Sequence, residues 1–319
     1  MIGRDVTRSD GFIGSGHAKG MNVQKSACDE AHTIDLEDCA GWLSRRPMDC
    51  HKGALGSVGI VGGGTGMVGA ALLAGRAALW LGAGRVYVGL LDERLAVDTM
   101  QPELMLTRPE TVLRLSSPGC LVVGCGMGRS ERAAQLLHTA LHAELPVLID
   151  ADGLNLLAAI PDLQTALGER VAPTLLTPHP GEAGRLLGIK AAEVQADRPA
   201  SIRALVERYG CLVVLKGAGT LVHGPGGRLW RNPTGNPGMA APGMGDVLSG
   251  IIAALIAQDL TAEQAAVLGV YLHGMAGDMA VEAGMGPVGL TAGEVAQTAR
   301  RLLNQWVYGR TILVGTPAA

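Results

Sequence analysis

The chain has 319 residues, of which 48% are hydrophobic and 17% charged, so it is long enough for one large folded domain or two ordinary ones and is not disordered overall. Its net charge of −3, with no basic block, argues against nucleic acid as the main partner. No apolar stretch could span a bilayer without interruption by a glycine or a charge, which argues against a membrane protein.

The N-terminal part of the chain differs from the rest in composition and in hydrophobic periodicity. Residues 1–45 mix glycine, serine and charged residues with little periodicity, apart from a short helix predicted near Leu36–Ser44, and they lack the apolar core of a signal peptide. The six cysteines form no CxxC pair, which favours reduced thiols in a cytoplasmic protein. We predict a poorly ordered leader and lead-in segment over 1–45 and one domain over 46–319.

From Ser57 onward, short apolar runs alternate with helical stretches. The runs are apolar at both odd and even positions, as in strands that are buried on both faces of a sheet. The predicted strands are Ser57–Val61, Arg85–Leu90, Cys120–Val123, Val147–Ile149, Thr174–Leu176 and Leu212–Leu215; the helices include Ala70–Leu81 and Glu131–His142, and a hairpin joins Leu221–His223 to Arg228–Trp230. The last third, from Asp246 to Leu303, is predicted to be helical. This alternation predicts an α/β fold, a mainly parallel central sheet with helices on both faces, that binds ligands at the carboxyl ends of its strands.

The strongest functional signal is the run Asn232–Gly250, in which Gly243-Met244-Gly245-Asp246 opens a predicted helix. Glycines at a helix N-terminus let backbone N–H groups converge, and the helix dipole adds partial positive charge, so Gly243 and Gly245 suit a transferring phosphoryl group. We call this cluster of backbone N–H groups, Gly243–Asp246, the nest. The carboxylate of Asp246 at its end can accept the proton of an attacking hydroxyl. The simpler interpretation makes Asp246 only the N-cap of the helix.

A second motif, Thr177-Pro-His179-Pro-Gly-Glu182, follows the predicted strand Thr174–Leu176. The two prolines fix an extended backbone around His179 and point its imidazole at the strand's carboxyl end. Glu182 begins the next helix, where a carboxylate can hold a hydrated Mg²⁺ near phosphate. The alternative is that His179 merely packs and Glu182 merely complements the helix dipole.

Glycine-rich turns follow several other predicted strands. The turn Lys216-Gly217-Ala218-Gly219-Thr220 suits a nucleotide but lacks the Walker pattern, and an ordinary strand turn is the alternative. The run Gly62–Gly69 contains GxGxxG, which would indicate a dehydrogenase, but that interpretation leaves the Gly243–Asp246 nest unexplained. The two remaining turns are Gly124–Gly128, where backbone must come close to a ligand, and Asp150–Asn155, whose carboxylates are candidates for orienting metal-bound water or ribose or for capping a helix.

Together these segments resemble the ADP-dependent NAD(P)H-hydrate dehydratases, a branch of the ribokinase-like superfamily. The resemblance spans roughly residues 51–305 and is most specific in the run NPTGNPGMA followed by GMGDVLSG. It implies a three-layer ribokinase-like sandwich in a cytoplasmic homo-oligomer, a tetramer in the family. It also implies an enzyme that uses ADP and Mg²⁺ to dehydrate the S-form of hydrated NADH and NADPH through phosphorylation of the 6-hydroxyl.

The resemblance also assigns residues to sites. It places the nucleotide on Lys216, Gly217, Ala218, Gly219 and Thr220, with Gly245 beside the phosphates. It places the hydrated dinucleotide on Ala70, Gly126, His179 and Asp246. In this assignment Asp246 is the base, Gly243 and Gly245 belong to the anion hole, and Glu182 is the metal ligand.

The chain departs from the family pattern in two ways, and two alternative functions stay open. The chain has Ala241-Pro242 where the family usually has Thr-Gly. Many relatives also carry an N-terminal epimerase domain, but only about fifty residues precede the match here, so we expect no epimerase activity. The alternatives are a ribokinase-like kinase acting on a vitamin precursor or sugar, and a nucleotide-binding protein that has lost its catalytic activity.

Overall fold

The computed structural model describes residues 31–39, 41–115 and 119–309 of the chain. Ten strands in these residues form one sheet in the order β1-β10-β9-β8-β7-β6-β5-β2-β3-β4. They are β1 (His32–Thr33), β2 (Ser57–Gly62), β3 (Arg85–Leu90), β4 (Met105–Thr107), β5 (Cys120–Val123), β6 (Val147–Ile149), β7 (Thr174–Leu176), β8 (Leu212–Leu215), β9 (Leu221–His223) and β10 (Trp230–Arg231). Only the β8–β9 and β9–β10 pairs are antiparallel, so the predicted mainly parallel sheet is confirmed.

Helices cover both faces of this sheet. They are α1 (Leu36–Cys39), α2 (Val68–Trp80), α3 (Pro109–Val112), α4 (Glu131–Leu141), α5 (Asp152–Ala159), α6 (Pro161–Gly168), α7 (Pro180–Leu187), α8 (Ala191–Ala196), α9 (Arg198–Tyr209), α10 (Met244–Ala257), α11 (Ala262–Glu282) and α12 (Ala292–Tyr308). One hydrophobic core joins the sheet to α2, α10, α11 and α12, and a second joins its other face to α4, α5, α6, α7 and α9. The molecule is therefore the three-layer sandwich that was expected.

The tight packing of α10 against α2 brings the start of α10 to the sheet. A Cβ at Gly250 would lie 2.1 Å from the carbonyl oxygen of Ala74, so only glycine allows this approach. Strands β2, β5, β6, β7 and β8 run parallel and are buried along their whole length. The turns that follow these strands consequently meet at one edge of the sheet.

The sequence-based boundaries hold for the central strands and shift elsewhere. Strand β10 starts at Trp230 instead of Arg228, and the predicted helix Leu36–Ser44 ends at Cys39. Residues 1–30 of the predicted leader lie outside the described residues, but within the rest of the 1–45 segment His32 pairs with Trp230, and Ile34 is buried. The proposed boundary between residues 45 and 46 stays a prediction.

None of the helices in the described ranges is long and apolar enough to cross a membrane.

Candidate active site

A buried ion pair lies at the centre of the edge where the strand ends meet. The Lys216 Nζ donates to Asp150 Oδ1 at 2.6 Å, and the hydroxyl of Ser249 on α10 donates to Asp150 Oδ2 at 2.8 Å. Burial lowers the pKa of Lys216, but the carboxylates of Asp150 and Glu182 outweigh it, and the net pKa is raised. Lys216 therefore stays charged, and its position is fixed by a carboxylate that is only 1% exposed.

His179 and Glu182 form a reciprocal cap at the start of α7. The His179 Nδ1 accepts the N–H of Gly181 at 2.9 Å, and the His179 N–H donates to Glu182 Oε2 at 2.8 Å. Burial, with the nearby charges of Lys216 and Arg185, lowers the pKa of His179. His179 thus has a structural role as the N-cap, and its neutral imidazole remains about half exposed toward the same edge of the sheet.

Glu182 is buried between His179 and Lys216. Its Oε2 lies 3.9 Å from Lys216 Nζ, and burial raises its pKa to about 7, against the opposing charge of Lys216. Among the described residues there is no group of three or more histidine, cysteine, aspartate or glutamate side chains placed to hold a metal ion. Metal binding by Glu182 stays a prediction. It would require nucleotide phosphates and water to supply most of the ligands, as is common for Mg²⁺.

Asp246 is the third residue of α10. The N-cap is Gly243, whose φ of +86° suits glycine, so the interpretation of Asp246 as the N-cap is wrong. Burial raises the pKa of Asp246 to about 6, the charge of Asp150 adds to this effect, and a hydrogen bond with the Cys125 thiol opposes it. This carboxyl group is therefore suited to accept a proton near neutral pH.

Gly245 joins the start of α10 to the ion pair. A Cβ at this position would lie 3.2 Å from Lys216 Nζ and 3.6 Å from Asp150 Oδ2. The absence of a side chain lets the first turn of α10, with its free N–H groups, contact the lysine. The Gly243–Asp246 nest, which is the strongest sequence signal, and the Lys216 turn are thus neighbours in space.

Ala70 and Gly126 also meet at this edge. Gly126 has a φ of +61°, and a Cβ on it would lie 3.1 Å from the Ala70 Cβ. The amides of Gly63 and Gly64 donate to the carbonyl oxygens of Cys125 and Gly126 at 2.9 and 2.6 Å. Because backbone carbonyls already accept from these amides, the loop does not present them to a pyrophosphate, and the dehydrogenase interpretation does not fit.

The Lys216–Thr220 turn has a different construction. Gly217 and Ala218 are exposed, and the Thr220 hydroxyl donates to the Gly217 carbonyl oxygen at 2.9 Å. Gly217 and Gly219 have φ values of +136° and +63°, which favour glycine. The turn is an open loop at the end of β8, next to the buried ion pair.

The glycine- and proline-rich run after β10 is tied to α11. The Asn232 side chain donates to the Val270 carbonyl oxygen at 3.0 Å and accepts from the Thr234 hydroxyl at 2.9 Å. Asp278 accepts from the Gly235 N–H at 2.8 Å and from the Asn236 amide at 3.0 Å. These contacts fix the position of the segment that leads to Gly243, and they give Asp278 a structural role.

Sequence reasoning did not assign Ser249 and Cys125 to the site, and it treated Asp150 only as a candidate for orienting metal-bound water or ribose. In the structure, Asp150 holds Lys216 and Ser249, while Cys125 contacts Asp246. The position of Asp150 directly after a buried strand could have placed it in the site. No sequence pattern predicts its pairing with Lys216, because 66 residues separate the two along the chain.

A family model described as NAD(P)H-hydrate dehydratase matches residues 58–300. The chain belongs to the NAD(P)H-hydrate dehydratase family. It is 43% identical over 265 residues to the ADP-dependent (S)-NAD(P)H-hydrate dehydratase of Neisseria meningitidis serogroup B, a match that covers 82% of this chain and 89% of that one. Membership of this family favours the dehydratase interpretation over a small-molecule kinase.

Two further relatives agree with this assignment. A bifunctional NAD(P)H-hydrate repair enzyme of Coxiella burnetii is 43% identical over 267 residues, covering 82% of this chain and 53% of its own length, so the chain spans about half of that relative. The ADP/ATP-dependent NAD(P)H-hydrate dehydratase of Bacillus subtilis, co-crystallised with ATP/Mg²⁺, superimposes with a TM-score of 0.74 at 28% identity, covering 86% of this chain and 99% of that one. The fold is therefore ribokinase-like.

Proposed function

We propose that this family member uses ADP to convert the S-form of hydrated NADH or NADPH back to the reduced cofactor, releasing AMP and phosphate. The observation that carries the proposal is the contact of Gly245 with the Lys216–Asp150 ion pair, one residue before Asp246. That contact brings a phosphate-binding helix start, a fixed positive charge and a carboxyl group with a raised pKa to one edge of the sheet.

The proposed reaction begins with phosphoryl transfer. Hydroxide is a poor leaving group, so the 6-hydroxyl of the hydrated nicotinamide first attacks the β-phosphorus of ADP, and the bond to the bridging oxygen of AMP breaks. Asp246 accepts the proton of that hydroxyl. The amides at Gly243 and Gly245 and the charge of Lys216 stabilise the negative charge on the transferring group. The ring nitrogen lone pair then expels phosphate from C6, and the proton that C5 loses passes to the departing phosphate, so that the C5–C6 double bond of the reduced nicotinamide forms.

The residues divide between two subsites in this proposal. Lys216, Gly217, Ala218, Gly219 and Thr220 hold the nucleotide, with Gly245 beside its phosphates. Ala70, Gly126, His179 and Asp246 hold the hydrated dinucleotide. The contact between Ala70 and Gly126, together with the half-exposed neutral imidazole of His179, supports a subsite on that side of the edge.

Glu182 is the residue that would hold a Mg²⁺ ion near the nucleotide phosphates. The ion would neutralise charge on the phosphates when bound. The Glu182 carboxyl lies within reach of Lys216 and has a raised pKa, so a divalent cation beside it would favour the ionised form. We also propose that the enzyme works in the cytoplasm and forms a homo-oligomer. Light scattering of the purified chain would test the oligomeric state.

The direct test is an absorbance assay. The full chain is incubated with hydrated NADPH, ADP and Mg²⁺, and recovery of the reduced-nicotinamide band is followed together with AMP release. The proposal predicts that one AMP appears for each nicotinamide restored. A kinase of the same fold, or a protein that only binds nucleotide, would restore no absorbance, and that result would refute the proposal.

A further inference from the structure

The guanidinium of Arg198, the first residue of α9, lies against the Lys216–Thr220 loop. It donates to the carbonyl oxygens of Leu215 at 3.0 Å, Lys216 at 3.3 Å and Gly219 at 3.4 Å. An additional contact to the Gln195 side-chain oxygen at 3.1 Å fixes the arginine itself. One side chain thus binds both ends of the loop, and burial lowers its pKa. An arginine stays charged under such conditions.

The loop fits onto this guanidinium because residue 217 has no side chain. A Cβ at Gly217 would lie 2.8 Å from the Arg198 Nη1, and the φ of +136° at this position also favours glycine. The arginine and the glycine are therefore complementary, and the N–H groups of the guanidinium hold the loop backbone.

The arginine determines where the loop amides point. A trans peptide is planar, so a carbonyl oxygen that faces one way turns the N–H of the following residue the opposite way. Since the carbonyls of Lys216 and Gly219 face Arg198, the N–H groups of Gly217 and Thr220 face away from it. Two N–H donors beside a fixed lysine ammonium suit the phosphates of a nucleoside diphosphate.

We propose that Arg198 is a positioning residue for the nucleoside diphosphate. It acts through the backbone of the Lys216–Thr220 loop, without touching the reacting atoms. This inference rests on the proposed function, because it takes the loop as the nucleotide subsite.

The test compares Arg198→Lys and Arg198→Met with the wild-type chain. Lysine keeps the charge but cannot donate to three carbonyls as the planar fork does, and methionine keeps most of the stem without the charge. Loss of these charge-assisted hydrogen bonds should weaken ADP binding, measured by calorimetry, by roughly 10- to 100-fold. The KM for ADP should rise in parallel, and the KM for hydrated NADPH should stay within about twofold of wild type.

Arg170→Lys is the matched control. Arg170 also donates to a set of backbone carbonyls, those of Leu141 at 2.6 Å, Ala143 at 2.9 Å and Leu145 at 2.8 Å, but these follow or end α4 and lie outside the nucleotide loop. Its replacement should lower the melting temperature and leave ADP affinity unchanged. A general loss of stability would therefore be distinguished from a specific loss of nucleotide binding.

The outcomes separate the two proposals. If the wild-type chain binds no ADP, both the proposed function and the role of Arg198 are refuted. A second outcome is that the wild type binds ADP and Lys216→Met lowers the ADP affinity, while both Arg198 variants keep the wild-type affinity. In that case only the role of Arg198 is refuted. Equal increases in both KM values for the Arg198 variants would also overturn it.

Discussion

Two glycine-rich loops at the same edge of the sheet are built in opposite ways. In the Gly62–Gly66 loop, the amides of Gly63 and Gly64 donate to carbonyls of the Gly124–Gly126 turn, so its glycines let two backbones pack together. In the Lys216–Thr220 loop, Arg198 binds the carbonyls, and the N–H groups of Gly217 and Thr220 point away from it. A glycine pattern therefore does not distinguish a packing loop from a ligand loop; the partners of its carbonyls and amides do.

The largest effect on turnover is expected from Asp246→Asn, which tests whether Asp246, at the start of α10 and next to the Lys216 loop, is the base. Asparagine keeps the shape and loses the base, so the turnover rate should fall roughly 10²–10⁴-fold. ADP affinity should change little because the loop amides remain, and the melting temperature should not fall, because Gly243 is the N-cap and asparagine removes a buried charge. Steady-state kinetics and calorimetry on one preparation measure all three quantities.

The control for this variant is Asp162→Asn. Asp162 is exposed in the first turn of α6, which is a comparable helix position away from the site. Its replacement should leave turnover unchanged. Near-normal turnover in the Asp246 variant would remove this residue from the mechanism.

The contrast between the loops is tested by one glycine replacement in each. A Cβ at Gly62 would lie 2.2 Å from the Cys125 carbonyl oxygen, so Gly62→Ala should lower the free energy of unfolding by about 3 kcal/mol. A Cβ at Gly219 would have no neighbour closer than 3.9 Å, and the left-handed backbone alone should cost about 1 kcal/mol. Urea unfolding of the two variants measures the difference. Equal losses would contradict the assignment of packing to the first loop.

The pH dependence of kcat/KM tests the environment of Asp246. Its pKa is raised from 3.8 to about 6, and a base must be deprotonated, so kcat/KM should fall about tenfold per pH unit below that value. The raised pKa also means that the protonated form is favoured by folding. The stability that Asp246 contributes is therefore full below about 3.8 and is lost as the pH rises through about 6. A flat rate profile across this window would contradict the assignment.

The smallest effect is expected from removing residues 1–30. Their sequence has little periodicity, so no apolar face is available for burial, and the melting temperature should change by no more than a few degrees. Removing residues 1–45 instead takes away Ile34 and Cys39, which are buried in the core, and should lower it further. A large drop for the shorter deletion would show that the leader stabilises the domain.

Much of this architecture can be predicted from the sequence because the central strands are apolar on both faces and end at glycine or polar residues. The nest that ends at Asp246 can also be predicted from the sequence, because its glycines precede an apolar helical repeat. The two-residue strand β1 has no such pattern, and its pairing depends on a distant partner, β10. The Asp150–Lys216 pair and the contact between Arg198 and the loop are likewise set by tertiary packing, which local periodicity does not encode.

The central claim is that ADP phosphorylates the 6-hydroxyl before the ring loses it. Hydrated NADPH prepared in water enriched in heavy oxygen carries the label in that hydroxyl, and the full chain is then given ADP and Mg²⁺ in ordinary water. Phosphoryl transfer followed by carbon–oxygen cleavage predicts that the released phosphate carries the heavy oxygen, as mass spectrometry of the phosphate would measure. Unlabelled phosphate, with the heavy oxygen released into water, would contradict the account.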